Sequence, residues 1–137
     1  MKNGKYFDDI GNEYWKKDGI YHRDDGPAKI CKDGTQVWYK EGRIHRDSGP
    51  AVISDTFHIW FKNGNIHKLD GPAIISLCGK SECSFEGREL SCNAWYKNGA
   101  LHRKGGPAII NKAEGFELWF EKGKLHRLDG PATVCGN

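Results

Sequence analysis

The residues best suited to chemistry in this 137-residue chain are its six histidines and five cysteines. Five of the histidines precede a cation: His22-Arg23, His45-Arg46, His67-Lys68, His102-Arg103 and His126-Arg127. Imidazoles move protons or bind metals, and cations beside aromatic faces hold phosphates and stacked bases. Cys78, Cys83 and Cys92 follow the spacing C-x4-C-x8-C. Thiolates are zinc ligands, but this spacing lacks the tight pairs of a zinc ribbon. A fourth ligand would have to come from Cys31, Cys135 or a distant histidine, so no metal site is expected. Gly79-Lys80-Ser81 has the ending of a phosphate loop, yet position 74 is Ile where that loop needs glycine. There is no G-x-S-x-G, and the spacing of Cys92 to His67 or His102 does not mark a nucleophile and base. We therefore expect no catalytic residue and no cofactor.

What positions these groups is an internal repeat. Its copies read WKKDGIYHRDDGPAKI from Trp15, WYKEGRIHRDSGPAVI from Trp38, WFKNGNIHKLDGPAII from Trp60, WYKNGALHRKGGPAII from Trp95 and WFEKGKLHRLDGPATV from Trp119. The Trp-to-Trp spacings are 23, 22, 35 and 24. Units therefore run over about 14–36, 37–58, 59–93, 94–117 and 118–135 of a single domain, 1–137, with an insertion at 76–93.

Turn chemistry converts the unit into geometry. Asn63-Gly64 and Asn98-Gly99 sit where a two-residue type I′ hairpin loop needs positive φ, and Asp18-Gly19, Glu41-Gly42 and Lys122-Gly123 occupy the same place. Counting outward sets Tyr39 opposite Ile44, Phe61 opposite Ile66, Tyr96 opposite Leu101 and Phe120 opposite Leu125, while each Trp faces its His. Gly-Pro-Ala then reverses the chain, because proline removes a ladder donor and biases the preceding residue away from helix. The stretches 51–53 and 73–75 read as the next strand, giving three strands per unit. In the first unit Lys16 and Tyr21 replace the aromatic and aliphatic pair, as a wetter end cap would. One unit has too few apolar side chains to offset the entropy of ordering it, so units must bury one another. The expected fold is all-β: an elongated, twisted antiparallel array of five stacked β-hairpin repeats.

Composition agrees. Eighteen glycines spread along the chain exclude a helix bundle or a Rossmann-type domain. The net charge of +3 is shared almost evenly between the halves, without the clustered basic patch usual in nucleic-acid binders. No apolar run resembles a signal-peptide core or a membrane span. The expectation is a cytoplasmic protein with reduced thiols and no membrane partner.

The half-motif W-[YF]-K-x-G-x-[IL]-H resembles the β-hairpin repeats called MORN-2, found in YwqK-type antitoxin proteins and in small proteins of bacteria and their phages. The resemblance covers roughly 14–135, and the H-R-x-x-G-P-A tail departs from the ordinary form. It implies a noncatalytic scaffold that binds and neutralises a protein partner, a toxin or a nuclease-type effector. The protein would then be an antitoxin, or a phage-borne inhibitor of a bacterial defence nuclease such as an anti-CRISPR.

A residue present in every unit is most simply explained by what each unit needs to fold, so a binding site is sought where the repeat breaks. The insertion has no counterpart elsewhere, and insertions of this kind often carry binding. Phe85 and Leu90 suit a hairpin arm around Glu86-Gly87, presenting Lys80, Glu82, Arg88 and Glu89 to a partner. The alternative is a nucleotide or RNA site on the repeated rows His45, Arg46, His67, Lys68, His102 and Arg103. A simpler role for those rows is a His bond to a neighbouring carbonyl or a stack on Trp, with Arg paired to Asp25 or Asp47 in its own turn.

Overall fold

The computed structural model describes residues 3–77, 84–85, 88–89 and 92–135. It is an elongated, open, all-β array, with no helix among the described residues. Its spine is a 12-stranded antiparallel sheet. The strand order follows the chain through Gly4–Phe7, Glu13–Lys17, Lys29–Ile30, Gln36–Val37, Val52–Ile53 and Phe57–Ile59. It continues through Ile74–Ser76, Asn93–Ala94, Ile109–Asn111 and Phe116–Leu118 to Thr133–Cys135. Ile20–Tyr21 pairs with the end of the second strand. Beside this spine stand the two-stranded ribbons Tyr39–Lys40/Arg43–Ile44, Phe61–Lys62/Asn65–Ile66, Tyr96–Lys97/Ala100–Leu101 and Phe120–Glu121/Lys124–Leu125. Each internal unit thus adds two strands to the spine, an advance of about 10 Å at ~4.8 Å per strand.

The hairpin registers are those expected from the turns. Tyr39 pairs with Ile44, Phe61 with Ile66, Tyr96 with Leu101 and Phe120 with Leu125. The first loop residue is left-handed in every unit, with φ of 51° at Asp18, 51° at Glu41, 49° at Asn63, 50° at Asn98 and 52° at Lys122. The strand count differs from the expected three. In the later units the incoming strand is broken at the tryptophan, so a unit holds four short strands. Trp38 donates its N–H to the Ala51 carbonyl in the spine (2.7 Å) and accepts the His45 N–H into the ribbon (3.0 Å). Trp60, Trp95 and Trp119 make the same pair of bonds. Tryptophan is therefore the corner at which the chain leaves one sheet for another. Gly-Pro-Ala closes the corner, because the alanine carbonyl is the acceptor and proline has no N–H to compete.

The core lies between spine and ribbons. Ala51, Val52, Ile59 and Ala73 are fully buried, and Phe61, Ile66 and Tyr96 close over them. Alanine follows proline because this position packs at zero exposure in four units, at Ala28, Ala51, Ala73 and Ala108. The opening of the array corrects the end-cap expectation for the first unit. Gly4–Phe7 adds a further strand outside Glu13–Lys17, pairing Lys5 with Trp15 and Tyr6 with Tyr14. Asp8 organises the intervening turn: its carboxylate accepts from the Tyr14 hydroxyl (2.5 Å), the Asn12 side chain (2.8 Å) and the Asn12 backbone (2.9 Å). The Tyr14 bond, above all, holds Asp8 well below the usual carboxylate range.

Candidate functional site

The histidine row joins one unit to the next. Nδ1 of His22 accepts the backbone N–H of Glu41 (3.0 Å), and His45, His67 and His102 accept those of Asn63, Asn98 and Lys122 (2.9 Å each). The donor is always the left-handed first residue of the next hairpin loop, whose N–H points away from its own ribbon. A second bond lies beside each: the following glycine donates to Tyr21, Ile44, Ile66 or Leu101 in the preceding unit, at 2.8–2.9 Å. These imidazoles are therefore acceptors at Nδ1, which puts their proton on Nε2. In His22 and His45 that atom lies 2.8 and 2.9 Å from Asp24 and Asp47. The acceptor is the ring nitrogen of a side chain, and the partner is a backbone N–H rather than the carbonyl expected. Asn3 occupies the matching place before the first unit, its side-chain oxygen accepting the Asp18 N–H at 2.8 Å.

The cation row locks each unit internally. The guanidinium carbons of Arg23, Arg46, Arg103 and Arg127 lie 3.9–4.0 Å from the ring centroids of Trp15, Trp38, Trp95 and Trp119, and Lys68 Nζ lies 4.0 Å from that of Trp60. The tryptophan face thus belongs to the cation and not to the imidazole opposite it. Each arginine also donates Nη1 to the proline carbonyl of its own Gly-Pro-Ala, at 3.0–3.2 Å. The glycine of that tripeptide makes room: a Cβ on Gly26 or Gly106 would fall 2.9 or 2.8 Å from the guanidinium carbon. Arg23 pairs with Asp25 as expected (2.9 Å), whereas Asp47 serves His45. Among the described residues no buried side-chain nitrogen or oxygen lacks a partner.

This geometry brings His45, Arg46, His67, Lys68, His102 and Arg103 into one regular ladder and occupies them in the fold. Burial, with the charges of Lys62 and Lys97 beside it, pushes the pKa of His67 below its ordinary value. His58, the histidine outside the motif, sits in Phe57–Ile59 with its ring edge-on to Trp60 at 6.3 Å.

The insertion replaces a short turn in the middle of the spine, at the strand ends away from the tryptophan corners. In the neighbouring unit 54–56 joins Val52–Ile53 to Phe57–Ile59. The corresponding link joins Ile74–Ser76 to Asn93–Ala94, and Asn93 accepts the Ser76 N–H at 2.9 Å. Within it Ser84–Phe85 pairs with Arg88–Glu89, in the register Ser84 to Glu89 and Phe85 to Arg88. This is the pairing expected of an arm around Glu86-Gly87. Lys80, Glu82, Leu90, Cys78 and Cys83 lie outside the described residues. Of the other cysteines, Cys92 lies 3.4 Å from the Asn111 amide, burial pushes the Cys31 thiol up, and Cys135 is exposed. Among the described residues no group of His, Cys, Asp and Glu is arranged to hold a metal. Nor is any helix there long and apolar enough to cross a membrane.

Among the described residues the ladder has open grooves of about 590, 650 and 610 Å³, each between the cation-containing loop of one unit and the hairpin of the next. They are open to solvent and of mixed polar and apolar lining, suited to contact with a surface. Comparison with protein-family models, with curated proteins and with solved structures finds no match to this chain.

Proposed function

We propose that the protein is a noncatalytic scaffold of the MORN-2-like kind that binds another protein and neutralises it. It would act as an antitoxin or as a phage-borne inhibitor of a bacterial defence nuclease such as an anti-CRISPR. The observation that carries this reading is the contrast between the repeated polar residues and the insertion. Histidine, arginine, tryptophan, glycine and proline of each unit are engaged in the fold, while 77–92 replaces a turn that other units make with a few residues. Chain in excess of what the neighbouring turn uses is available for recognition, and Phe85 and Arg88 are residue types that anchor protein interfaces. The partner surface on this reading is Lys80, Glu82, Phe85, Arg88, Glu89 and Leu90, and the site of action is the cytoplasm.

The test is affinity capture from lysate of the natural host, half of it nuclease-treated. It compares the native chain with a variant in which 77–92 is exchanged for the 54–56 turn. We expect a stoichiometric protein on the native chain, resistant to nuclease and absent from the variant, with circular dichroism unchanged. Equal capture by both would remove the insertion as the site. Nucleic acid without protein would favour the His, Arg and Trp rows as an RNA or nucleotide site.

A further inference from the structure

The same contrast, applied to the loops, singles out one groove. Four units place at least one carboxylate after the cation: Asp24 and Asp25, Asp47, Asp70, and Asp129. The fourth unit reads Arg103-Lys104-Gly105-Gly106 and has none. The consequence is electrostatic. The groove before the second unit balances Arg23, Lys40 and Arg46 against three aspartates, and the next sets three cations against Asp47 and Asp70. The groove between the third and fourth units is lined by Lys68, Lys97, Arg103 and Lys104 against Asp70 alone.

Arg103 in this groove is both fixed and unneutralised. It lies 4.0 Å over Trp95 and donates Nη1 to Pro107 at 3.0 Å. Among its equivalents Arg23 and Arg127 direct Nε to an aspartate, at 2.9 and 3.0 Å, while Arg46 has the acid Asp47 next to it in the loop, bonded to His45. No carboxylate among the described residues makes that bond to Arg103, so a pre-positioned guanidinium edge faces the groove. A guanidinium fork held in place binds a carboxylate with little further loss of entropy. Leu69, 81% exposed, stands on the rim of the same groove.

We propose that this groove binds an acidic segment of a partner protein, carboxylates on Arg103, Lys104 and Lys97 and an apolar side chain on Leu69. The inference rests on the protein-binding reading above and adds a second contact between the same two units, beside the Gly-Pro-Ala end of Ile74–Ser76, whereas the insertion leaves from the other end of that strand. A nucleic-acid strand is the less fitting occupant. Its regularly spaced phosphates need a continuous cationic track, whereas of the three grooves described this one holds by far the largest excess of positive charge, beside an exposed leucine.

The experiment titrates the full ¹⁵N-labelled chain with an acidic Glu/Leu peptide and, separately, with an oligouridylate of equal charge. It is repeated on Lys104→Asp and Lys97→Glu. Lys104→Asp restores the acid that the first two units carry at that place, at Asp24 and Asp47, so the fold tolerates it. Expected are saturable shifts centred on the Trp95 indole and 102–106, stronger binding of the peptide than of the oligonucleotide, and about tenfold weaker peptide binding in either variant, as for a like-charge contact. Absence of saturable shifts, unchanged affinity in Lys104→Asp, or preference for the oligonucleotide would each overturn the proposal. Its failure is distinguishable from failure of the protein-binding reading, since the capture experiment depends on 77–92 and not on this groove.

Discussion

At the scale of single residues, what decides the role of each repeated side chain is the atom it satisfies. A type I′ loop leaves the N–H of its first residue aimed out of its own hairpin, and a buried orphan N–H costs about 1–3 kcal/mol. His45, only 9% exposed, answers this for Asn63 with a ring nitrogen 2.9 Å away. Asn3 does the same for Asp18 with an amide oxygen. The requirement is thus for an acceptor and not for an imidazole. His45→Leu is expected to lose about 1–3 kcal/mol in urea unfolding, and His45→Asn to recover a large part of it. Equal losses in the two variants would mean that packing, not the acceptor, is what the histidine supplies.

At the scale of the elements, the same bond makes the stacking of hairpins sensitive to acid. Protonation of Nδ1 turns the acceptor into a donor facing another N–H. For His67, burial and the neighbouring Lys62 and Lys97 lower the folded-state pKa below its ordinary 6.5. The unfolded chain therefore takes up the proton first as pH falls, and stability must decline in that direction. Stability from this group is complete above the unfolded-state value and is lost as pH drops from about 6.5 through the depressed folded-state value. Chemical denaturation between pH 7.5 and pH 5 should give a falling midpoint, and the decline should shrink in His67→Asn, which keeps an acceptor without a titrating ring. A midpoint that rises on acidification would contradict this assignment.

At the scale of the molecule, stability is distributed along the array as burial is. The spine and ribbons enclose Val37, Val52, Ile59 and Ile74 in the central units, whereas Leu125 and Val134 of the fifth are exposed. Ile59→Ala, at a site with no exposure, is expected to cost about 2–5 kcal/mol. Leu125→Ala, more than half exposed, should stay within about 0.5 kcal/mol. Comparing their urea midpoints measures how far the array behaves as a chain of neighbours rather than a uniform block. Comparable losses would require the fifth unit to be as tightly coupled as the third.

Much of this architecture was legible in the residues. Asn63-Gly64 and Asn98-Gly99 are signals local to a few φ and ψ angles, so the hairpin registers and the strands after Gly-Pro-Ala could be counted from the chain. The hairpin arm around Glu86-Gly87 was read from the same kind of turn signal, and Phe85 pairs with Arg88 there. The strand Gly4–Phe7, lying outside the repeat, carried no periodic signal. The break of the strand at Trp38 was equally hidden, because it depends on where the Ala51 carbonyl sits in the neighbouring strand. The sequence by itself determined the turns, the repeat and the all-β class, since those follow from local backbone chemistry repeated at a fixed interval. Only the tertiary structure decided what the histidines and arginines do. In the first four units the motif imidazole bonds an N–H that is 18 to 31 residues away, and each guanidinium fits a gap made by a tryptophan, a glycine and a proline carbonyl together. Such partners are chosen by how units stack, and no spacing along one unit encodes that.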